Sequence, residues 1–137
     1  WRGDKLWIAN VGDSRGYILR KGELRQLSYD QNLANELRMN LGLTEEQISH
    51  YPHRNVLTMA IGTTREVLVR TQDETLEPDD LVLLCSDGLY GPTGEEGIRA
   101  IVNEDIDLET MATKLVDAAL EGGGPDNITV VLIRNKG

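Results

Sequence analysis

Two aspartates stand where apolar runs meet sharp, glycine-marked turns, and their placement is the chemistry to explain first. Asp87 follows Leu81-Val82-Leu83-Leu84-Cys85-Ser86 and precedes Gly88. Asp126 sits in Gly124-Pro125-Asp126-Asn127, just ahead of Ile128-Thr129-Val130-Val131-Leu132-Ile133. Apolar runs of this length read as buried strands. A carboxylate at the mouth of such a strand is held rigidly, half out of water, with a charge that needs a partner. Two of them suggest a shared cation, and carboxylate oxygens are hard donors that select Mg²⁺ or Mn²⁺ over zinc. Asp-Gly and Pro-Asp are also ordinary turn sequences, so either aspartate alone reads first as a turn residue.

A third aspartate repeats the arrangement in Trp7-Ile8-Ala9-Asn10-Val11-Gly12-Asp13-Ser14-Arg15: a strand, a glycine, an acid. Val11-Gly12-Asp13-Ser14-Arg15, Ser86-Asp87-Gly88-Leu89 and Gly124-Pro125-Asp126-Asn127-Ile128-Thr129 occur in that order. Together they resemble the later motifs of the metal-dependent protein phosphatases of the 2C type, the PPM family, in its bacterial-like form. Arg54-Asn55-Val56-Leu57-Thr58-Met59-Ala60-Ile61-Gly62, lying between the first two, resembles a further stretch of that family. These four ordered stretches extend the resemblance over essentially the whole chain.

The resemblance implies an α+β fold of two stacked antiparallel β-sheets flanked by helices. It implies hydrolysis of phosphoserine and phosphothreonine on proteins by a metal-activated water, with two or more Mg²⁺ or Mn²⁺ ions in the complete domain. Asp87 and Asp126 match ligands of the first metal, and Asp13 matches a ligand that shares a weaker, additional metal with Asp87. No residue beyond the metal ligands is assigned to catalysis. Gly88 would let the backbone approach the site closely, and Asn127 would lock its loop by hydrogen bonds. His50, His53 and Arg54 fall in the region that resembles the family's flap over the site and are candidates for substrate contact. The partners implied are phosphoprotein substrates of a serine/threonine kinase, which places the chain in signal transduction.

Family members also carry an N-terminal half with an acidic residue and an Asp-Gly-x-Gly-Gly-type segment whose aspartate bridges two metals. No such segment occurs in these 137 residues. The expectation is that residues 1–137 are the C-terminal portion of a single catalytic domain, inactive alone and prone to self-association through uncovered sheet. Three positions depart from the family pattern. Tyr29-Asp30-Gln31-Asn32 stands for an Asp-His-Ser-like segment, Met59 for a frequent arginine, and Tyr90-Gly91-Pro92 for a more polar stretch. The alternative reading is a non-catalytic regulatory or binding relative, although a degenerate site has no physical reason to keep three carboxylates. A third is an unrelated acidic domain that binds cations structurally.

Fourteen basic residues against 23 acidic ones give a net charge of −9, which argues against nucleic acid or an anionic membrane as partner. The longest apolar run is far too short to cross a bilayer. Cys85 is the only cysteine, so no internal disulfide is possible and a cytoplasmic setting is expected. His50 and His53 have an HxxH spacing but no third zinc ligand in sight. Asn127-Ile128-Thr129 is a sequon at the start of a strand, and Gly122-Gly123-Gly124 lacks the Lys-Ser/Thr of a P-loop. Arg15 and Arg54 could pair with phosphate or serve internal salt bridges.

The elements that must position these groups are legible in outline. Lys5–Val11, Gly16–Arg20 and Glu23–Leu27 read as strands, with Lys21-Gly22 as a hairpin turn. Asn32–Leu41 reads as a helix with Leu33, Leu37 and Leu41 on one face and Gly42 as its stop, and Thr44–Gln47 as a capping box for a short second helix. His50–Gly62 has no clear period and reads as a long connection. Strands are predicted around Val67–Thr71 and over Leu81–Cys85, with Pro78-Asp79-Asp80 turning between them. Thr93-Gly94-Glu95-Glu96 predicts the start of a helix carrying Ile98, Ile101 and Val102. A last helix, capped by Asp107 or Thr110, carries Leu108, Met111, Ala112, Leu115, Val116 and Ala119 in one stripe and stops at the triple glycine.

Overall fold

A computed structural model gives the fold and describes residues 1–63 and 65–137. Strand β1 (Lys5–Asn10) is followed by β2 (Arg15–Arg20) and β3 (Glu23–Gln26). Arg20 pairs with Glu23, so Lys21 and Gly22 alone close the hairpin, with φ of 51° and 86°. These are the positive values that let a two-residue turn follow the twist of its strands. Helix α1 (Leu33–Leu41) starts at Asn32, whose side-chain oxygen accepts from the Asn35 N–H, and stops at left-handed Gly42. Of its predicted apolar face only Leu37 is buried, and Leu41 is 64% exposed. Helix α2 (Glu45–Ser49) opens on the predicted capping box, with Thr44 and Gln47 bonded reciprocally.

Strand β4 (Arg70–Thr75) lies C-terminal to the predicted Val67–Thr71. Val67, Leu68 and Val69 precede the strand and are exposed, while polar Arg70 to Thr75 pair with β1 from Asn10 back to Lys5. Strand identity here is set by the partner's register, and a two-stranded ribbon leaves one face wet, so apolar content was a misleading guide. Strand β5 (Leu81–Cys85) pairs with β2 on one side and with β6 (Val130–Arg134) on the other. All named pairings are antiparallel and give a four-stranded sheet β3-β2-β5-β6 beside the two-stranded β1-β4. The α+β expectation holds.

Between β5 and β6 run α3 (Asp87–Val102) and α4 (Leu108–Glu121). Helix α3 starts at Asp87, and the helix start predicted at Thr93-Gly94 falls at a kink inside it, so the piece before the kink is the addition. Ser86 takes the N-cap position and Asp87 begins the first turn, where a carboxylate meets the positive end of the helix dipole. Gly94, at φ 70° and ψ 160°, kinks the element into two helical pieces. The Thr93 hydroxyl is buried and makes no hydrogen bond among the described residues, so the predicted capping box does not form. In α4 the Asp107 side chain accepts from the Thr110 N–H, and Gly122 to Gly124 end the helix as expected.

Alternation along β5 sorts the two cores. Leu81, Leu83 and Cys85 point to the helices and join Tyr17, Leu89, Ile98, Val102, Met111, Leu115 and Ala119 in the main core. Truncating one of its large members to Ala should cost about 2–5 kcal/mol. Val82 points the other way, where Ile18, Leu27, Leu76 and Leu6 form a smaller core between the sheets. This second layer covers only part of the four-stranded sheet. Leu84, Val131 and Ile133 on the same face remain more than a third exposed.

Candidate functional site

The three aspartates reach one cavity of about 650 Å³, lined by Asp13, Asp87 and Asp126 together with Arg15, Asp30, Arg54 and the first turn of α3. Asp87 and Asp126 are brought together by a close backbone approach. A Cβ added to Gly88 would stand 2.3 Å from the Asn127 carbonyl oxygen, so only glycine allows the two segments to meet. Ser86 fastens the same junction. Its hydroxyl, free of any helix-capping bond, donates to the Asn127 carbonyl at 3.0 Å and accepts from the Thr129 N–H at 3.0 Å. The Asn127 N–H donates to Asp126 Oδ1 at 2.7 Å. Asn127 thus serves the loop through its backbone, while its exposed side chain makes no hydrogen bond among the described residues.

Asp13 is placed by the loop after β1. Gly12, at φ 100°, turns the chain. Its N–H donates to Gln31 Oε1 at 2.8 Å, and its carbonyl accepts from the Gln31 N–H at 3.0 Å. Asn10 reaches the neighbouring Tyr29 carbonyl at 2.7 Å. Tyr90, in the first turns of α3, donates from its hydroxyl to the Asp13 carbonyl at 2.9 Å. Partial burial and the nearby Asp87 charge hold the Asp13 carboxyl above the usual carboxylate range, against a hydrogen bond with Asn32 that pulls it down. Burial, reinforced by the Asp13 charge, pushes the Tyr90 hydroxyl well up, so it stays a neutral donor.

Arg15 is spent internally. Its guanidinium donates to buried Asp30 through Nε at 3.1 and 3.0 Å and through Nη2 at 2.7 Å, and Nη1 donates to the Tyr17 hydroxyl at 2.9 Å. The ring of Tyr90 lies 3.8 Å beneath it. Burial works against this charge, but the bonds to Asp30 and Tyr17 more than compensate and raise the Arg15 pKa. Arg54 faces the cavity and donates to the Ser49 carbonyl at 3.2 Å. His50 and His53 do not line the cavity; His50 caps α2 and contacts the Glu46 carbonyl, and His53 occupies a turn at φ 58°. Burial pushes the Cys85 thiol up to about 12, which suits a core residue and no nucleophile.

The donor set fits part of a shell for a hard cation. None of the three aspartates forms an ion pair among the described residues, and unpaired clustered carboxylates are what a divalent ion neutralises. Among the described residues no three His, Cys, Asp or Glu side chains gather closely enough to hold an ion by themselves. The cavity brings together the three aspartates that the sequence singles out, with Gly88 beside them. Ser86, Asp30 and Tyr90 carry no such signal in the sequence, beyond Tyr90-Gly91-Pro92 and Tyr29–Asn32 departing from the family pattern.

The chain is similar to known proteins over nearly its whole length. The family model for SpoIIE, stage II sporulation protein E, matches residues 2–136. The serine/threonine phosphatase stp of Listeria welshimeri is 39% identical over 126 residues, which is 92% of this chain and 50% of that protein. The solved serine/threonine phosphatase PstP/Ppp of Mycobacterium tuberculosis matches with a TM-score of 0.91 at 34% identity, covering all of this chain and 57% of that one. The PstP catalytic domain in complex with two manganese ions matches with a TM-score of 0.83 at 35% identity over 98% of this chain and 55% of that one. The chain spans about half the length of the curated relatives it matches. No helix among the described residues is long and apolar enough to cross a membrane.

Proposed function

The chain belongs to the metal-dependent protein phosphatases of the 2C type through its match to the stage II sporulation protein E family, and from this we propose that it carries the Asp87–Asp126 side of a protein serine/threonine phosphatase site. The observation that carries the reading is the fixed approach of Asp87 and Asp126 across Gly88, with neither carboxylate in an ion pair among the described residues. Bound Mg²⁺ or Mn²⁺ would neutralise phosphoryl oxygens and acidify a water for in-line attack. The chain's own part is to hold and orient. Asp87 and Asp126 would bind the first ion, and Asp13 would join Asp87 at a weaker one. The partial donor set and the half-length match to relatives support a further reading, that residues 1–137 are a portion of one catalytic domain and complete the shell with ligands from its other portion. Arg54, on the cavity wall, is the best placed of the flap candidates to meet a phosphoprotein substrate. A reducing, cytoplasmic compartment and a kinase-opposing role in signalling complete the proposal.

The test is turnover of a phosphothreonine peptide with excess Mn²⁺. The 137-residue chain alone should stay near background. Joined to the N-terminal half of the Listeria phosphatase, it should turn over and depend on metal. Robust activity of the chain alone would overturn the shared-site reading, and a folded but inert chimera would favour a non-catalytic binding relative.

A further inference from the structure

We propose that Tyr90 is a positioning residue that sets Asp13 against Asp87, an inference that rests on the metal-site reading above. Asp13 and Asp87 come from different elements, a loop between β1 and β2 and the first turn of α3. A pair of ligands must be held to within a fraction of an ångström by its surroundings. Tyr90 is the side chain that reaches from one to the other. It stands three residues beyond Asp87, close to one turn along α3, so its backbone moves with that carboxylate. Its hydroxyl holds the Asp13 backbone carbonyl at 2.9 Å.

The ring itself is prevented from drifting. It lies 3.8 Å under the Arg15 guanidinium, and Arg15 is fixed by three hydrogen bonds to Asp30. Asp30 is buried and pinned from other directions: Gln26 donates to its Oδ1 at 2.8 Å, and the Asn35 side chain donates to its carbonyl at 2.8 Å. The hydroxyl of Tyr90 therefore has a rigid platform behind it and one acceptor in front. Because the contact is to the main chain, Tyr90 would govern the position of Asp13 without taking a coordination place from it. Outer partners of this kind commonly change metal affinity by 10–100-fold when removed.

Backbone ¹⁵N relaxation of the metal-free 137-residue chain, with calorimetric Mn²⁺ titration of its fusion to the N-terminal half of the Listeria phosphatase, tests this in Tyr90→Phe and Tyr90→Leu. Without metal, Tyr90→Phe should lower the order of the Asp13 and Ser14 amides while leaving Asp87 and Gly88 as in the wild type. Tyr90→Leu, which also removes the ring from Arg15, should lower it further. With Mn²⁺, the weaker of two uptake steps in the fusion to the N-terminal half of the Listeria phosphatase should require about tenfold more metal in Tyr90→Phe, with the stronger step unchanged. Wild-type order at Asp13 in Tyr90→Phe would overturn the proposal whatever the metal does, as would a uniform loss of order across the chain, which a merely structural tyrosine would produce. Absence of any Mn²⁺ uptake by the wild-type fusion would instead sink the metal-site reading, and the metal-free relaxation would still decide the role of Tyr90.

Discussion

Asp80 and Asp13 both lie in turns that lead into strands, yet the chain surrounds them in opposite ways. Asp80 is buried just ahead of β5 and fully engaged. Arg20 donates to it through Nε at 3.0 and 3.2 Å and through Nη2 at 2.6 Å, and the Glu77 N–H donates at 2.7 Å. Burial alone would raise its pKa, but these bonds outweigh burial and hold it below the ordinary carboxylate range. Arg20 also reaches Glu74 and the Thr75 carbonyl, so one guanidinium ties β2, β4 and the turn into a corner. Asp13 is half buried, faces Asp87 and Asp30, has no ion-pair partner among the described residues, and is held above the ordinary range. Charge that serves the fold is paired by the fold; charge left unpaired in a cavity is available to a ligand.

The largest expected break in this contrast is Asp80→Ala. It would leave Arg20 without its main partner and cost about 3 kcal/mol in urea unfolding, while Mn²⁺ uptake at the other corner stays unchanged. Next is Gly88→Ala. A Cβ 2.3 Å from the Asn127 oxygen forces backbone apart, so stability should fall by about 2 kcal/mol and Mn²⁺ affinity by roughly tenfold in titration. A loss of stability without loss of affinity would show that the approach serves packing alone.

The smallest effect is Asp13→Asn. With the folded pKa of Asp13 raised, ionisation costs the folded state, so its destabilising contribution is full above that pKa and disappears as pH falls towards the unfolded value near ~4. Metal-free Asp13→Asn should therefore be more stable than wild type at neutral pH, by on the order of 0.5 kcal/mol, and equal to it in acid. Asp80 has the opposite sign: its contribution is present above the ordinary carboxylate range and is lost as pH falls through its depressed folded value. Thermal melts across the acid range separate the two.

The sequence made one half of this contrast readable. Asp13, Asp87 and Asp126 could be picked out because glycine and strand patterns mark their local geometry, and the two-residue hairpin and the α4 cap were legible for the same local reason. Asp80 read only as a turn, since its partner Arg20 is sixty residues away and no local pattern announces it. The clamp of Asp30, Arg15 and Tyr90 was hidden similarly. The first piece of α3 was hidden because Ser86 takes the N-cap position yet lends its hydroxyl to the Asp126 loop, which leaves Thr93-Gly94-Glu95-Glu96, at the kink, as the visible start signal. Val67 to Val69 looked like a strand because exposed aliphatics cannot be told from buried ones without knowing which sheet covers them.

The most direct measurement is calorimetric Mn²⁺ titration of the chain joined to the N-terminal half of the Listeria phosphatase, beside the Asp87→Asn and Asp126→Asn variants of that fusion, with melts to establish folding. Each substitution keeps the shape and removes one charge and one hard donor from the same proposed site. The expected result is a folded protein whose affinity falls by on the order of a hundredfold in either variant. Near wild-type uptake in both variants, or a parent fusion that takes up no Mn²⁺, would contradict the assignment of these two aspartates to a shared cation.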